Sequence, residues 1–281
     1  MSNRFSQRNP NRERPRLGNQ MIYLVIVAIS ILAGCGKKQE KDVDVLARGP
    51  ELGTISIPSD YVAQAIEAAG GLDAWMKTKK LQLDCVVTFY QPDGSFYLTE
   101  QRYEVYPWSN SIQISAHEPQ GRFVWQLSKG QFDVLEGIEQ IDRYPKTIDG
   151  HCFAEVILNI ITAPVRFLDE SVEFTKQNTA IKIQGQWYYQ INRRSKPGAE
   201  STEHSSKAVF YQDRNNFLVD MIWLAFMDTE NFLTVRGYDY DEIAKDGLLI
   251  PVRIEIFSTD AHGNSLKRLV KIDCHTFGHI K

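Results

Sequence analysis

The chain has 281 residues, of which 43% are hydrophobic and 24% charged, the balance of an ordinary soluble globular protein. The formal net charge is −3, but the first 34 residues hold five arginines and one acid, which leaves 27 basic against 34 acidic residues from Cys35 onward. A mildly acidic body argues against non-specific nucleic-acid binding, which needs clustered Lys and Arg to displace counterions.

Residues 1–20 are polar, basic and rich in Asn, and Met21–Ala33 is an apolar run interrupted only by Ser30. A positive segment before a short apolar run is the order of a secretory leader. The run falls short of the roughly 20 apolar residues of a membrane span. It ends in Leu32-Ala33-Gly34-Cys35, which resembles a bacterial lipobox. That resemblance implies cleavage before Cys35 and acylation of its sulfur and new amino terminus. Several acyl chains anchor stably where one is marginal. An uncleaved signal anchor, with Cys35 a chance residue, is the alternative. Gly36–Asp42 is charged and aperiodic, and Gly49-Pro50 and Pro58 punctuate the stretch up to residue 58. The expected organisation is a signal peptide over 1–34, a lipidated Cys and flexible tether over 35–58, and a single folded domain over 59–281.

The domain opens on a helix near Ser59-Asp60. Val62, Ala65, Ile66 and Ala69 follow three-four spacing, and Gly70-Gly71 ends it. Residues 72–76 form a second short helical turn. Strands then dominate. Leu81, Leu83, Cys85, Val87 and Phe89 share one face, and Gln91-Pro92-Asp93-Gly94 is a hairpin turn by composition. Strands follow over 95–106, 111–116, 121–127 and 131–136. Phe153, Val156, Ile157, Ile160 and Ile161 make the apolar stripe of one substantial helix after Asp149-Gly150, with Pro164 as its stop. Strands resume over 171–176, 180–191, 206–213, 216–227, 231–239, 249–258 and 266–274, with a polar loop over 195–206. The pattern predicts a mainly β (α+β) domain. It is a large curved antiparallel sheet, an open half-barrel of about eleven strands, with two helices over its concave face.

The chemistry is sparse. No nucleophile elbow, metalloprotease helix, phosphate-binding glycine loop or Cys-x-x-Cys is present. Cys274, His275 and His279 could supply a metal-dependent enzyme, although neighbours on a strand point to opposite faces. Gly278 discourages a helix there, and a solvated tail is the plainer reading. His151-Cys152 at a helix start is a nucleophile pair without a visible third partner. No catalytic residue, metal ligand or cofactor is assigned. With Cys35 acylated, Cys85, Cys152 and Cys274 allow at most one disulfide and leave one thiol. Cys85 and Cys274 fall on apolar faces, where Cys acts as a small hydrophobe, so no disulfide is expected.

Two segments carry a family resemblance. Gly70-Gly71-Leu72-Asp73-Ala74-Trp75 follows the first helix. Late in the chain come Gly237-Tyr238-Asp239-Tyr240 and Asp246-Gly247-Leu248-Leu249-Ile250-Pro251-Val252-Arg253-Ile254-Glu255. With the lipobox and the hairpin-rich sheet, this resembles the lipoprotein-localisation carrier and receptor superfamily. The resemblance implies an open half-barrel with a helical lid, and in carriers an apolar cavity for acyl chains. Neither motif carries chemistry, so fold transfers better than function. Both faces of 217–227 are apolar apart from Asp220, so both are covered. The leading expectation is a non-enzymatic, lipid-anchored envelope lipoprotein, at the outer membrane facing the periplasm. Its partners are the membrane, through Cys35, and an apolar ligand such as a lipid or an acylated protein. Phe123, Trp125, Met221 and Trp223 are the expected cavity wall, with plain core packing as the alternative. A structural or interaction lipoprotein without a cavity is the second reading.

Overall fold

The computed structural model of the chain describes residues 59–146, 148–196, 204–226, 231–243 and 247–281. The leader, Cys35 and the tether lie outside the described residues, as do most of the predicted 195–206 loop, Met227 and Asp246. Two short helices, α1 (Asp60–Ala68) and α2 (Leu72–Lys77), precede strands β1 (Lys80–Tyr90), β2 (Phe96–Tyr106), β3 (Ser111–Glu118), β4 (Gly121–Ser128) and β5 (Gln131–Glu136). Helix α3 (Gly150–Arg166) follows. Then come β6 (Val172–Lys176), β7 (Ile181–Ile183), β8 (Gln186–Ser195), β9 (Lys207–Asp213), β10 (Val219–Phe226), β11 (Asn231–Ile243), β12 (Leu248–Thr259) and β13 (Ser265–Ile280).

All thirteen strands join one antiparallel sheet in the order β5-β4-β3-β2-β1-β13-β12-β11-β10-β9-β8-β6, with β7 also paired to β8. The first and last strands therefore meet in the middle, and β5 and β6 are left as edges. The sheet is open, mainly β and covered by few helices, as the sequence predicts. Helix α3 touches β3 and β4 on one side and β10 and β11 on the other. Seven strand spacings of about 4.8 Å separate β4 from β10, whereas a helix is only about 10–12 Å across. The sheet reaches both sides of α3 by curling around it.

That wrapping buries α3 on every side: Gly150 and Cys152 through Arg166 are all buried. The helix continues past the predicted stop to Arg166, because Pro164 sits inside it. Proline removes one backbone donor, and the surrounding core holds the turn regardless. Asp149 caps the start, its carboxylate accepting from Cys152 N at 2.7 Å.

Two further elements differ from the sequence reading. The predicted 180–191 strand is two, because Gln184 and Gly185 both adopt positive φ (49° and 92°) and turn the chain. The last strand runs to Ile280, paired with Lys80, so the expected solvated tail is sheet. Gly278 fits there because its Cα lies against Gln82, where an added Cβ would meet the Gln82 Cβ at 3.3 Å. The helical segments number three among the described residues.

The two segments that carry the family resemblance pack against each other. Leu249 N donates to Ala69 O at 3.2 Å. A Cβ on Gly70 would sit 2.4 Å from Gly247 O, and Gly70 φ is +109°, so this contact admits only glycine. Trp75 is fully buried, and its indole N–H donates to Ala69 O.

Candidate functional site

The four expected cavity residues fall into two clusters. Phe123 and Trp125 belong to the main core between sheet and helices. Their rings stack at 4.3 Å, Phe132 and Tyr144 pack edge-on against Trp125, and the indole N–H donates to Ile138 O at 2.8 Å. Tyr144 in turn stacks on Phe89 at 3.7 Å and donates to the buried Glu118. Met221 and Trp223 sit on the other face of the sheet, with Tyr188, Val209, Tyr211 and Ala225. Ile181, Ile183 and Phe232 pack over them. Both faces of β10 are thus covered, but by different layers: Ile222, Leu224 and Phe226 face the main core. The structure does not bring the four residues to one wall. Beside the outer cluster, burial pushes the Asp220 carboxyl up to about 7, against the lowering pull of Arg236.

Two clefts lie at the C-terminal end of α3, flanking the chain that leaves the helix. One cleft, of about 350 Å³, lies between the start of α1 and the edge strand β6. Tyr61, Phe167, Leu168, Val172 and Phe174 form its apolar wall, and the exposed Glu170, Glu173 and Lys196 rim it. Phe167 is the hub: Tyr61, Phe174 and Phe210 meet its ring edge-on at 6.3, 4.9 and 5.4 Å. The Tyr61 hydroxyl donates to Phe174 O at 2.8 Å and so ties α1 to the sheet edge. The second cleft, of about 310 Å³, lies on the other side against the β2–β3 turn, with Trp108, Val165 and Leu168 in its wall. Leu168 and Asp169 line both. Volumes near 300 Å³ and apolar walls with a few polar groups fit small ligands or short apolar chains. The sequence reading misses this site because its residues come from three elements, none with a conspicuous pattern.

The start of α3 gathers the polar chemistry. Asp149, Cys152 and His204 each place a donor atom within 4.8 Å of the others. These are the oxygen, sulfur and nitrogen donors that a zinc-type ion takes. They supply the third partner that the sequence lacks for His151-Cys152. Even so, burial and the Asp149 carboxylate push the Cys152 thiol far up, the reverse of what a nucleophile needs. His151 stacks between Phe132 and His204, and burial with the nearby His204 holds its imidazole below its usual range. One turn on, Glu155 is buried and accepts from His204 N at 2.9 Å, from Ser205 N at 3.1 Å and from the Ser205 hydroxyl. Arg193 backs the same serine, donating to its carbonyl at 2.8 Å.

The three residues of the C-terminal cluster do not converge. Cys274 is buried on the core face, and His275 is exposed. His279 lies 2.9 Å from the Thr78 hydroxyl. Among the described residues, only the Asp149, Cys152 and His204 group has metal-ligating geometry.

No family model matches the sequence, and no curated protein matches it. Solved structures do. A LolA superfamily protein of Nitrosomonas europaea superposes with a TM-score of 0.52 at 12% identity, covering 78% of this chain and 92% of its own. A domain described as an outer-membrane lipoprotein-sorting protein, from Vibrio parahaemolyticus, gives 0.43 at 7% identity, covering 78% and 93%. A DUF1329 family protein of Desulfovibrio piger gives 0.45 at 10% identity, covering 79% and 94%. The first of these shows that the chain shares the fold of that LolA superfamily protein.

Proposed function

We propose that the chain is a non-enzymatic lipoprotein of the bacterial envelope, anchored through a lipid on Cys35. It binds an apolar ligand, a lipid or the acyl chain of an acylated protein, beside the C-terminal end of α3. The observation that carries this reading is the aromatic-walled cleft around Phe167, open to solvent at the mouth of the sheet–helix layer. The carrier-type fold of the LolA superfamily member supports it. So does the order of basic head, apolar run and Leu32-Ala33-Gly34-Cys35 ahead of the domain. Gly36 after the lipid Cys, rather than Asp, favours the outer membrane, with the domain facing the periplasm. Trp125, with Phe123 stacked on it, packs at the start of α3, and Met221 and Trp223 lie on the other face of the sheet, so none of the four lines this site. The filled core under Trp125 favours a second reading, an interaction lipoprotein that binds no apolar ligand.

Leu168 offers the sharpest test because it lines both clefts and is only half-buried. Leu168→Glu sets a carboxylate against a bound acyl chain and costs the fold little. Titration with a fluorescent fatty acid is expected to saturate on the wild type. The variant is expected to bind at least about tenfold more weakly, a loss of about 1.4 kcal/mol. A wild type without saturable binding selects the interaction reading. Anchoring is tested separately: Cys35→Ser removes the acceptor sulfur, so palmitate label is expected on the wild type alone. Equal label on both would overturn the anchor.

A further inference from the structure

We propose that Cys85 and Cys274 form a disulfide in the exported protein, stapling the first strand of the sheet to the last. The two residues face each other directly in the β1–β13 register, at the centre of the sheet. They stand 189 positions apart in sequence. Opposed antiparallel residues have Cα atoms about 4.5–5.5 Å apart, within the roughly 4.4–6.8 Å that a disulfide spans. Both side chains enter the core face and are buried. Their sulfurs lie 2.6 Å apart, closer than two thiols in van der Waals contact and a short movement from the bonded distance of about 2.05 Å. The register shift between Asp84 and Cys85 marks a bulge, a device that re-aims a side chain. Cys152 lies on α3 beside Asp149 and His204 and remains the odd thiol.

Burial and the facing sulfur hold the Cys85 thiol well above its usual range. A folded, reduced pair is therefore a poor nucleophile, and the bond forms while β13 is still docking on β1. Two S–H bonds break and one S–S bond forms. Two electrons and two protons pass to a thiol-exchange oxidant, whose own disulfide is thereby reduced to a dithiol. Closing so long a loop constrains the unfolded chain strongly, and it does so between the strands that join the two halves of the sheet.

The oxidising compartment rests on export of the chain, so the test separates export from pairing. The full-length protein is taken from the envelope fraction of a bacterial host, quenched in acid, denatured and alkylated before and after reduction. In parallel, the purified reduced protein is refolded with oxidised and reduced glutathione. The expected result in both arms is alkylation of Cys152 but not of Cys85 or Cys274 before reduction, with a peptide pair joined through those two. A bond in the glutathione arm alone supports the pairing and overturns export. Free Cys85 and Cys274 in both arms, or a bond from either to Cys152, overturns the proposal.

Discussion

Trp125→Ala is expected to destabilise the domain by about 3–5 kcal/mol, the range for a large aromatic removed from a packed core. The residue is 1% exposed. Phe123 stacks on one side of it, and Phe132 and Tyr144 close the others. The loss has two parts: a void that these rings cannot collapse into, and an Ile138 carbonyl left without its indole donor. For a domain of this size the melting temperature is expected to fall by about 10 °C. Binding at the clefts of the α3 C-terminus is expected to persist in the folded fraction. If Trp125 instead lined an open cavity, its truncation would cost little stability and would change ligand affinity. Thermal denaturation beside a fatty-acid titration separates the two outcomes.

Glu155→Ala is expected to cost a similar amount, about 3–5 kcal/mol, for a different reason. The side chain is a buried carboxylate on a helix that is itself buried. It accepts two backbone N–H groups and a hydroxyl from His204 and Ser205, just before β9. Alanine removes the carboxylate that these groups donate to, leaves the buried Ser205 N–H without it, and loosens the Ser205 that Arg193 holds. Glu155→Gln keeps one acceptor oxygen in the same shape and is expected to recover roughly half of the loss. Chemical denaturation of the three proteins checks this. An alanine variant within about 1 kcal/mol of wild type would show that Glu155 does not hold the chain to α3.

Much of the architecture was legible because sheet periodicity is a strong signal. Leu81 through Phe89 alternate inward as the sequence predicts. The Gln91–Gly94 turn closes with Asp93 accepting from Ser95 N at 2.9 Å. The apolar stripe from Phe153 to Ile161 does mark a buried helix. The illegible parts have physical causes of the same kind. Alternation along β10 reveals two covered faces but not which one meets the helices, so Met221 and Trp223 could not be told from Ile222 and Leu224. Pro164 reads as a helix stop by local propensity, and tertiary packing overrides it. Glu155 looks like a solvated charge within an apolar stripe, since its partners lie about 50 residues away in sequence. The clefts around Phe167 were illegible for the same reason: Tyr61, Trp108, Leu168 and Phe174 meet only after the sheet has curled.

The most direct measurement of apolar-ligand binding is mass spectrometry of lipids extracted from the protein after it is exported, released from its anchor and purified in its native state. The expected result is a phospholipid or fatty acid in near-stoichiometric amount on the wild type, strongly depleted on Leu168→Glu. Wild-type protein that carries no lipid, and that acquires none when incubated with phospholipid vesicles, would contradict it.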